Sequence, residues 1–371
     1  MNRPVRMQDI AEALGVAKST VCRGLQGHPK CGPALRAKIL AKADELGYRP
    51  DPLQRVHMAQ LRGGRVADGT VIGMLDLYNS DWSIERNPSN RRFAIGARNR
   101  AEELGMALEI FSPLAESYDL ERLRRILFAR NIRGLIIPPL PQAHTHLDFD
   151  FSGISAVAIA YTLEAPDLHR VSHNHYAVTW AALEYLHGVG KSRVGLAISD
   201  SMQERVGQRW HAAHHEFYRS CRKANPASSF TFDSNDDERQ ARRHWFEPFC
   251  TWIEQNQLNA VLGIDPWMVK ALKWRGWRVP EEVTYLDMDW YAGKAQIPSN
   301  CPVVNQNFEG IAAAAVDEIA AMWGRREYGI PTQPKSILLA GSIQLQKAFC
   351  VGKSNPWRNQ PTPHSTHFPG T

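Results

Sequence analysis

Residues 7–27 read MQDIAEALGVAKSTVCRGLQG, and their spacing decides the architecture of the N-terminus. Ile10, Ala11 and Leu14 fall on one helical face. Gly15-Val16 breaks that pattern, the glycine supplying a tight turn and the valine a plug for a small core. A second short helix, about 17–25, points Val21 and Leu25 inward at i, i+4, while Lys18 with Cys22 and Ser19 with Arg23 form i, i+4 pairs outside. A third helix opens at Pro33, a favoured first helical position, and turns Leu35, Ile39, Ala43 and Leu46 to the same core before Gly47 stops it. Two short helices joined by a glycine turn, with a third as buttress, form a helix-turn-helix unit. Its second helix offers its N-terminal end to a DNA major groove.

Charge supports the same partner. The chain has 371 residues and a formal charge of +6, but residues 1–65 hold twelve Lys or Arg against five Asp or Glu. The remaining residues carry 32 basic and 33 acidic side chains. The whole positive excess therefore lies in one short segment, which a polyanion attracts and from which it releases counterions. A merely solubilising basic tail would lack the periodicity and turn chemistry seen here. The length calls for two or three packed units. No segment has the apolar length of a membrane span and no signal-peptide core follows Met1, so a cytoplasmic location is expected. Six cysteines lie far apart without a CxxC pair, as in a reduced compartment.

Residues 7–27 together with GPALRAKILAKADELGYRPD (32–51) resemble the head of the LacI/GalR family, whose pattern runs xxDVAxxAGVSxxTVSRVLN…VSxxTRxxVxxAxxELGYxPN. The resemblance implies that Lys18 and Ser19 read base edges and that Arg23 is the family's arginine. Thr20 and Cys22 fall at its phosphate-side positions, with Arg6 and Lys30 as further DNA contacts. Arginine can grip guanine O6 and N7 bidentately, lysine less rigidly. Ala17, Cys22 and Gly32 each replace a serine of the pattern, which shifts affinity toward the charges. For any one of these residues, a solvated helix face is the competing reading.

DPLQRVHMAQLRGG, residues 51–64, begins with a good N-cap and N1 pair and ends in Gly63-Gly64. It is too short to be stable as an isolated helix. The resemblance implies a hinge that folds on DNA and inserts an apolar wedge into the minor groove. His57 stands at the wedge position, with Met58 beside it; a plain linker is the alternative.

From Val71 the pattern alternates strand and helix, which implies parallel doubly wound sheets, with ligands bound at the carboxyl ends of strands. The body is expected as a periplasmic-binding-protein-like α/β fold of two subdomains, with a cleft between them. The expected bounds are 1–50 for the DNA-binding domain, 51–64 for the hinge, 70–172 with 291–325 for one subdomain, 173–290 with 326–350 for the other, and 351–371 for a disordered tail. A helix over Gln203–Lys223 and a closing strand SILLAG (336–341) belong to this reading. The resemblance continues through LHGVGKSRVGLAISD (186–200), AVLGIDPWMVKAL (260–272), VPEEVTYLDMDW (279–290) and VNQNFEGIAAAAVDEI (304–319). These are similar to the family's LxxxGHRRIAxI, AxxxxxDxxAxGAL, IPxDVSVVGxDD and VxQPxxxxGxxAxxxL. It implies that Arg205, or Arg209 one turn later, clamps a ligand, and that Asp265 and the GxDD aspartate Asp289 accept its hydroxyls. Tyr78, at a strand end, and the tryptophans Trp267 and Trp290 are candidate stacking surfaces. Asp265 before Pro266 is equally an N-cap.

No GxGxxG follows the first strand and no GxxxxGK[ST] or GxSxG occurs, so dinucleotide, NTP and serine-hydrolase chemistry are unsupported and no cofactor is expected. His211, His214 and His215 share a helix at metal-ligand spacing, but an exposed helix face is the plainer reading and no metal is expected. Two functions remain. One is a regulator, expected as a repressor, in which a homodimer binds a pseudo-palindromic double-stranded operator and answers a small, sugar-like effector. The other is a solute-binding protein or enzyme whose basic head serves protein contacts.

Overall fold

A computed structural model of the chain describes residues 5–25, 31–46, 48, 70–78, 83–220, 228–232, 244–291, 294 and 297–345. Lys30, the hinge over 51–64 with His57 and Met58, and the expected tail lie outside the described residues.

The head consists of α1 (Met7–Leu14), α2 (Lys18–Leu25) and α3 (Pro33–Glu45). The Asp9 carboxylate accepts the Arg6 amide at 2.6 Å and so ties down the start of α1. Gly15 ends α1 at φ 62, a left-handed conformation that a side chain would strain, and the chain turns there into α2. Ile10, Ala11, Val21, Ile39 and Ala43 are buried together with Cys31 and Tyr48. The periodicity of residues 7–46 thus closes a core small enough to be filled by a handful of aliphatic side chains.

The chain divides into two compact units, Met1–Ser172 with Phe308–Ile337, which includes the head, and His173–Asn307 with Leu338–Thr371. The chain passes between them at 172/173, 307/308 and 337/338, whereas the bounds 291–325 and 326–350 place the last two passages earlier. The difference arises because Pro302–Asn305 is a strand of the second sheet and Phe308–Arg325 a helix of the first unit.

In the first unit, β1 (Val71–Leu75), β2 (Ala107–Phe111), β3 (Gly134–Ile137), β5 (Ser155–Ile159), β7 (His169–His173) and β13 (Ser336–Leu339) form a six-stranded sheet in the order β13-β7-β5-β3-β1-β2. The neighbours from β2 to β7 run parallel. Two short strands, β4 (Thr145–His146) and β6 (Leu163–Ala165), pair apart from it. Helix α4 (Pro88–Glu103) packs against α11 (Phe308–Arg325) so closely that a Cβ on Gly96 would run into the Glu309 backbone. Arg92 braces the same contact with a bidentate bond to Glu309 at 2.6 and 2.9 Å. Helix α5 (Leu120–Ala129) places Leu123 and Leu127 in the core with Leu75, Leu135 and Phe151.

The second unit has β8 (Val194–Ala197), β9 (Ser229–Phe230), β10 (Ala260–Gly263), β11 (Thr284–Trp290), β12 (Pro302–Asn305) and β14 (Ser342–Leu345) in the order β14-β12-β11-β10-β8-β9. All pairs are parallel except β12 with β14. Its helices are α6 (His175–Gly188), α7 (Asp200–Arg205), α8 (Arg209–Ser220), α9 (Phe246–Gln255) and α10 (Trp267–Arg275). The single helix expected over Gln203–Lys223 is therefore two, because Gly207 and Gln208 both take φ 59 and break the hydrogen-bond ladder. SILLAG likewise ends early: Ala340-Gly341 separates β13 of one sheet from β14 of the other.

Candidate nucleic-acid interface and effector site

Helix α2 carries the candidate DNA contacts. Lys18 and Ser19 are exposed, Thr20, Cys22 and Arg23 half-buried, and Arg6 is exposed ahead of α1. The Arg23 Nε donates to the Ser19 carbonyl at 3.2 Å, which lays the guanidinium along the helix surface at the i, i+4 spacing. Ala17 supplies no side-chain oxygen to α2, so the Thr20 amide turns to the Ala17 carbonyl at 2.8 Å. The face is thus a row of short polar groups between two cations, a geometry that can meet phosphates and base edges together.

The candidate effector residues fall into separate groups. Tyr78 belongs to the first unit and is buried, at the end of β1. Its amide bonds to Asp76 Oδ1 at 3.0 Å, and the Ile84 amide bonds to Asp76 Oδ2, also at 3.0 Å. Burial pushes the Asp76 carboxyl above its ordinary pKa, against the pull of these two amides. Arg205, Arg209, Asp265 and Asp289 all belong to the second unit. Arg205 closes the short α7 rather than opening a long helix, and Arg209 donates to the Val206 carbonyl at 2.9 Å. Asp265 and Asp289 stand at the carboxyl ends of the adjacent strands β10 and β11.

Two side chains that the sequence reading did not single out organise this edge. Asp287, fully buried in β11, stands where the quoted family pattern has glycine. Lys294 reaches back to it, with Nζ 3.0 and 2.9 Å from the two carboxylate oxygens. The same ammonium bonds to the Ile264 carbonyl at 2.6 Å and the Asp289 carbonyl at 3.1 Å. Burial opposes its charge, but Asp287 and Asp289 outweigh burial and hold it above its ordinary pKa. The Asp289 amide and the Tyr285 hydroxyl, at 2.9 and 3.2 Å, complete the shell of Asp287. Asp265 sits beside this network, and burial pushes its carboxyl up to about 6 while Lys294 pulls it down and Asp287 adds repulsion. The signal in the sequence was a charged residue inside the otherwise buried run TYLDM, which demands a partner.

The remaining candidates are structural. Trp267 packs against the rings of Phe232, Phe246 and Phe249, and Trp290 is 3% exposed, so neither presents a free ring face. His214 turns into the core and its Nε2 meets the Val194 carbonyl at 2.9 Å, while His211 and His215 stay exposed. The three rings therefore do not converge. Asn174 caps α6 by accepting the Ala177 amide.

A helix-turn-helix head followed by two parallel α/β units with ligand-type polar groups at their strand ends defines the class: a DNA-binding head with a periplasmic-binding-protein-like body. Residues 6–51, the head, match the family model of the bacterial regulatory proteins, lacI family. The HTH-type transcriptional regulator AglR of Rhizobium meliloti (strain 1021) is 42% identical over 48 residues, 13% of this chain and 14% of that protein. The HTH-type transcriptional regulator PtxS of Pseudomonas plecoglossicida is 27% identical over 209 residues, 54% of this chain. The match spans 57% of PtxS, little more than half its length. Among solved structures, the lac repressor dimer bound to operator and the anti-inducer ONPF is similar with a TM-score of 0.54. That likeness covers 92% of this chain and 98% of that one at 18% identity, and it shows the fold. Among the described residues, no helix is long and apolar enough to cross a membrane.

Proposed function

We propose that this protein is a ligand-responsive transcriptional regulator. Two copies form a homodimer whose heads grip the half-sites of a pseudo-palindromic operator in double-stranded DNA. It acts in the cytoplasm as a repressor, and a small saccharide-like effector bound at strand ends of the body alters its affinity for the operator. The observation that carries the reading is the surplus positive charge of residues 1–65 on a head whose second helix offers Lys18 and Ser19 to solvent with Arg23 beside them. A solute-binding protein or enzyme has no use for that conjunction. Within the body, Arg205, Arg209, Asp265, Asp289 and Tyr78 are the effector-facing residues of this reading, and Lys30, His57 and Met58 complete its DNA contacts.

Operator selection from random duplex DNA tests it. A selected site should bind with a log affinity that falls against log salt by about 0.9 for each phosphate contacted. Arg23→Ala should cost about 1–3 kcal/mol and relax preference at one base pair per half-site. No enriched sequence, together with a flat salt dependence, would move the protein to the solute-binding or enzyme class.

A further inference from the structure

The short strands β4 and β6 carry side chains that neither the DNA-binding head nor the effector reading uses. The two strands pair through Thr145 with Leu163 and His146 with Ala165. Leu147, Phe149 and Leu163 are buried in the core of the first unit, whereas His144, His146 and Glu164 are exposed. This ribbon is therefore apolar within and offers two imidazoles and a carboxylate outside.

One link between them is already made. The His144 Nδ1 lies 2.8 Å from the Glu164 Oε2 across the ribbon, with the two side chains 67% and 53% exposed. An exposed pair of this kind adds little to stability. Yet His144 is held at φ 54, a left-handed conformation that is costly for a residue with a side chain. The Thr145 hydroxyl, donating to the Gln142 carbonyl at 2.8 Å, fixes the turn in which this happens.

The bond also sets the chemistry of the ring. An ionised carboxylate can only accept, so in a neutral imidazole it takes the Nδ1 proton and leaves the Nε2 lone pair for another partner. A histidine that ligates a metal ion is commonly held in this way, its ring oriented by an outer carboxylate. His146 supplies a second imidazole two residues on, a spacing of about 6–7 Å between Cα atoms in extended chain, which lets both rings reach one ion. Among the described residues, no three His, Cys, Asp or Glu side chains are gathered into a metal-holding group. That agrees with two inner ligands, an outer carboxylate and water in the remaining positions.

We propose that His144 and His146 chelate one divalent cation of the zinc class on the β4–β6 ribbon, His144 through Nε2, with Glu164 as the positioning residue behind it. Imidazole nitrogens suit Zn²⁺, Ni²⁺ and Cu²⁺, whereas Mg²⁺ and Ca²⁺ take oxygen ligands. The rival pair is His211 with His215 on α8, exposed and with ring centroids 6.5 Å apart. The ribbon is preferred because a carboxylate already orients one of its rings.

Calorimetric titration of the full chain, untagged and stripped of metal with a chelator, tests it with Zn²⁺, Ni²⁺ and Mg²⁺. Zinc and nickel should bind and magnesium should not. His144→Asn, in which asparagine tolerates the left-handed φ, and His146→Ala should each remove one equivalent of zinc or weaken it at least about tenfold. Glu164→Gln keeps an acceptor for Nδ1 but loses the charge. It should weaken zinc by about tenfold while leaving the metal-free thermal midpoint unchanged. The His211→Ala, His215→Ala double variant should keep the equivalent. The proposal is overturned if the parent binds no zinc, or if the His144→Asn, His146→Ala double variant binds it as the parent does. Loss of the equivalent on removing His211 and His215 would hand the site to α8. A Glu164→Gln variant that binds like the parent, or whose metal-free midpoint falls, would make Glu164 a structural brace and remove its positioning role.

Discussion

Asp76 and Asp287 are both buried aspartates near the carboxyl end of a parallel strand, one in each unit, and they are accommodated by different means. Asp76 accepts two backbone amides, from Tyr78 and Ile84, and so shapes the chain that leaves β1. Asp287 is met by an ammonium, a phenol and one amide. Amides satisfy a carboxylate's lone pairs but leave its charge, whereas an ammonium cancels it. The first unit therefore uses its aspartate to fix local backbone. The second forms an ion pair, beside which a third carboxyl, Asp265, is raised by burial while Lys294 attracts it and Asp287 repels it.

The harshest way to break the comparison is Lys294→Met. With Lys294 9% exposed and Asp287 fully buried, its loss strands a charge, and removal of one partner of such a pair costs about 3–5 kcal/mol. Urea unfolding should show it, and a loss under about 1 kcal/mol would mean that Asp287 simply takes up a proton. Asp76→Ala should do less, about 1–3 kcal/mol, because it orphans two amides but removes a buried charge at the same time. The double change Asp287→Asn with Lys294→Met should recover most of the loss of Lys294→Met alone, to within about 1–2 kcal/mol of the parent, since both charges leave together. If the double variant is as unstable as the single one, packing around Lys294 matters more than the pair.

The head was legible because its information lies in local periods: Ile10, Val21 and Ile39 mark its core, and Gly15 its turn, within forty residues. The alternation of strands and helices placed both sheets for the same reason. The break at 206–208 left little trace, since one glycine in a helical pattern is usually tolerated and Gln208 has no turn signature. The step from β13 to β14 was hidden because SILLAG reads as one apolar run. Least legible was Lys294. Its three bonds converge from Ile264, Asp287 and Asp289, residues that only the finished sheet brings together.

The smallest expected effect concerns the carboxyl beside that ion pair. Asp265 has a folded-state value of about 6, above the ordinary 3.8, so the folded protein holds its proton more tightly than the unfolded chain does. Stability then falls as pH rises from about 4 to about 6, and no further loss follows above that window. His173 and His214 oppose this, because burial lowers both to about 4 and keeps them neutral in the fold. Below the ordinary imidazole range the unfolded chain takes up protons that these buried rings refuse, so their contribution rises with pH from about 4 to about 6.5. The two slopes partly cancel in the parent protein, and only a difference reveals either. Asp265→Asn removes the falling slope and leaves the histidines untouched, so its unfolding free energy should climb more steeply between pH 4 and 6 than the parent's. Urea midpoints taken across that range for both proteins would decide the matter. Parallel profiles would mean that Asp265 titrates like an exposed carboxyl, and the contrast between an amide-filled Asp76 and a crowded acidic edge in the second unit would lose its electrostatic basis.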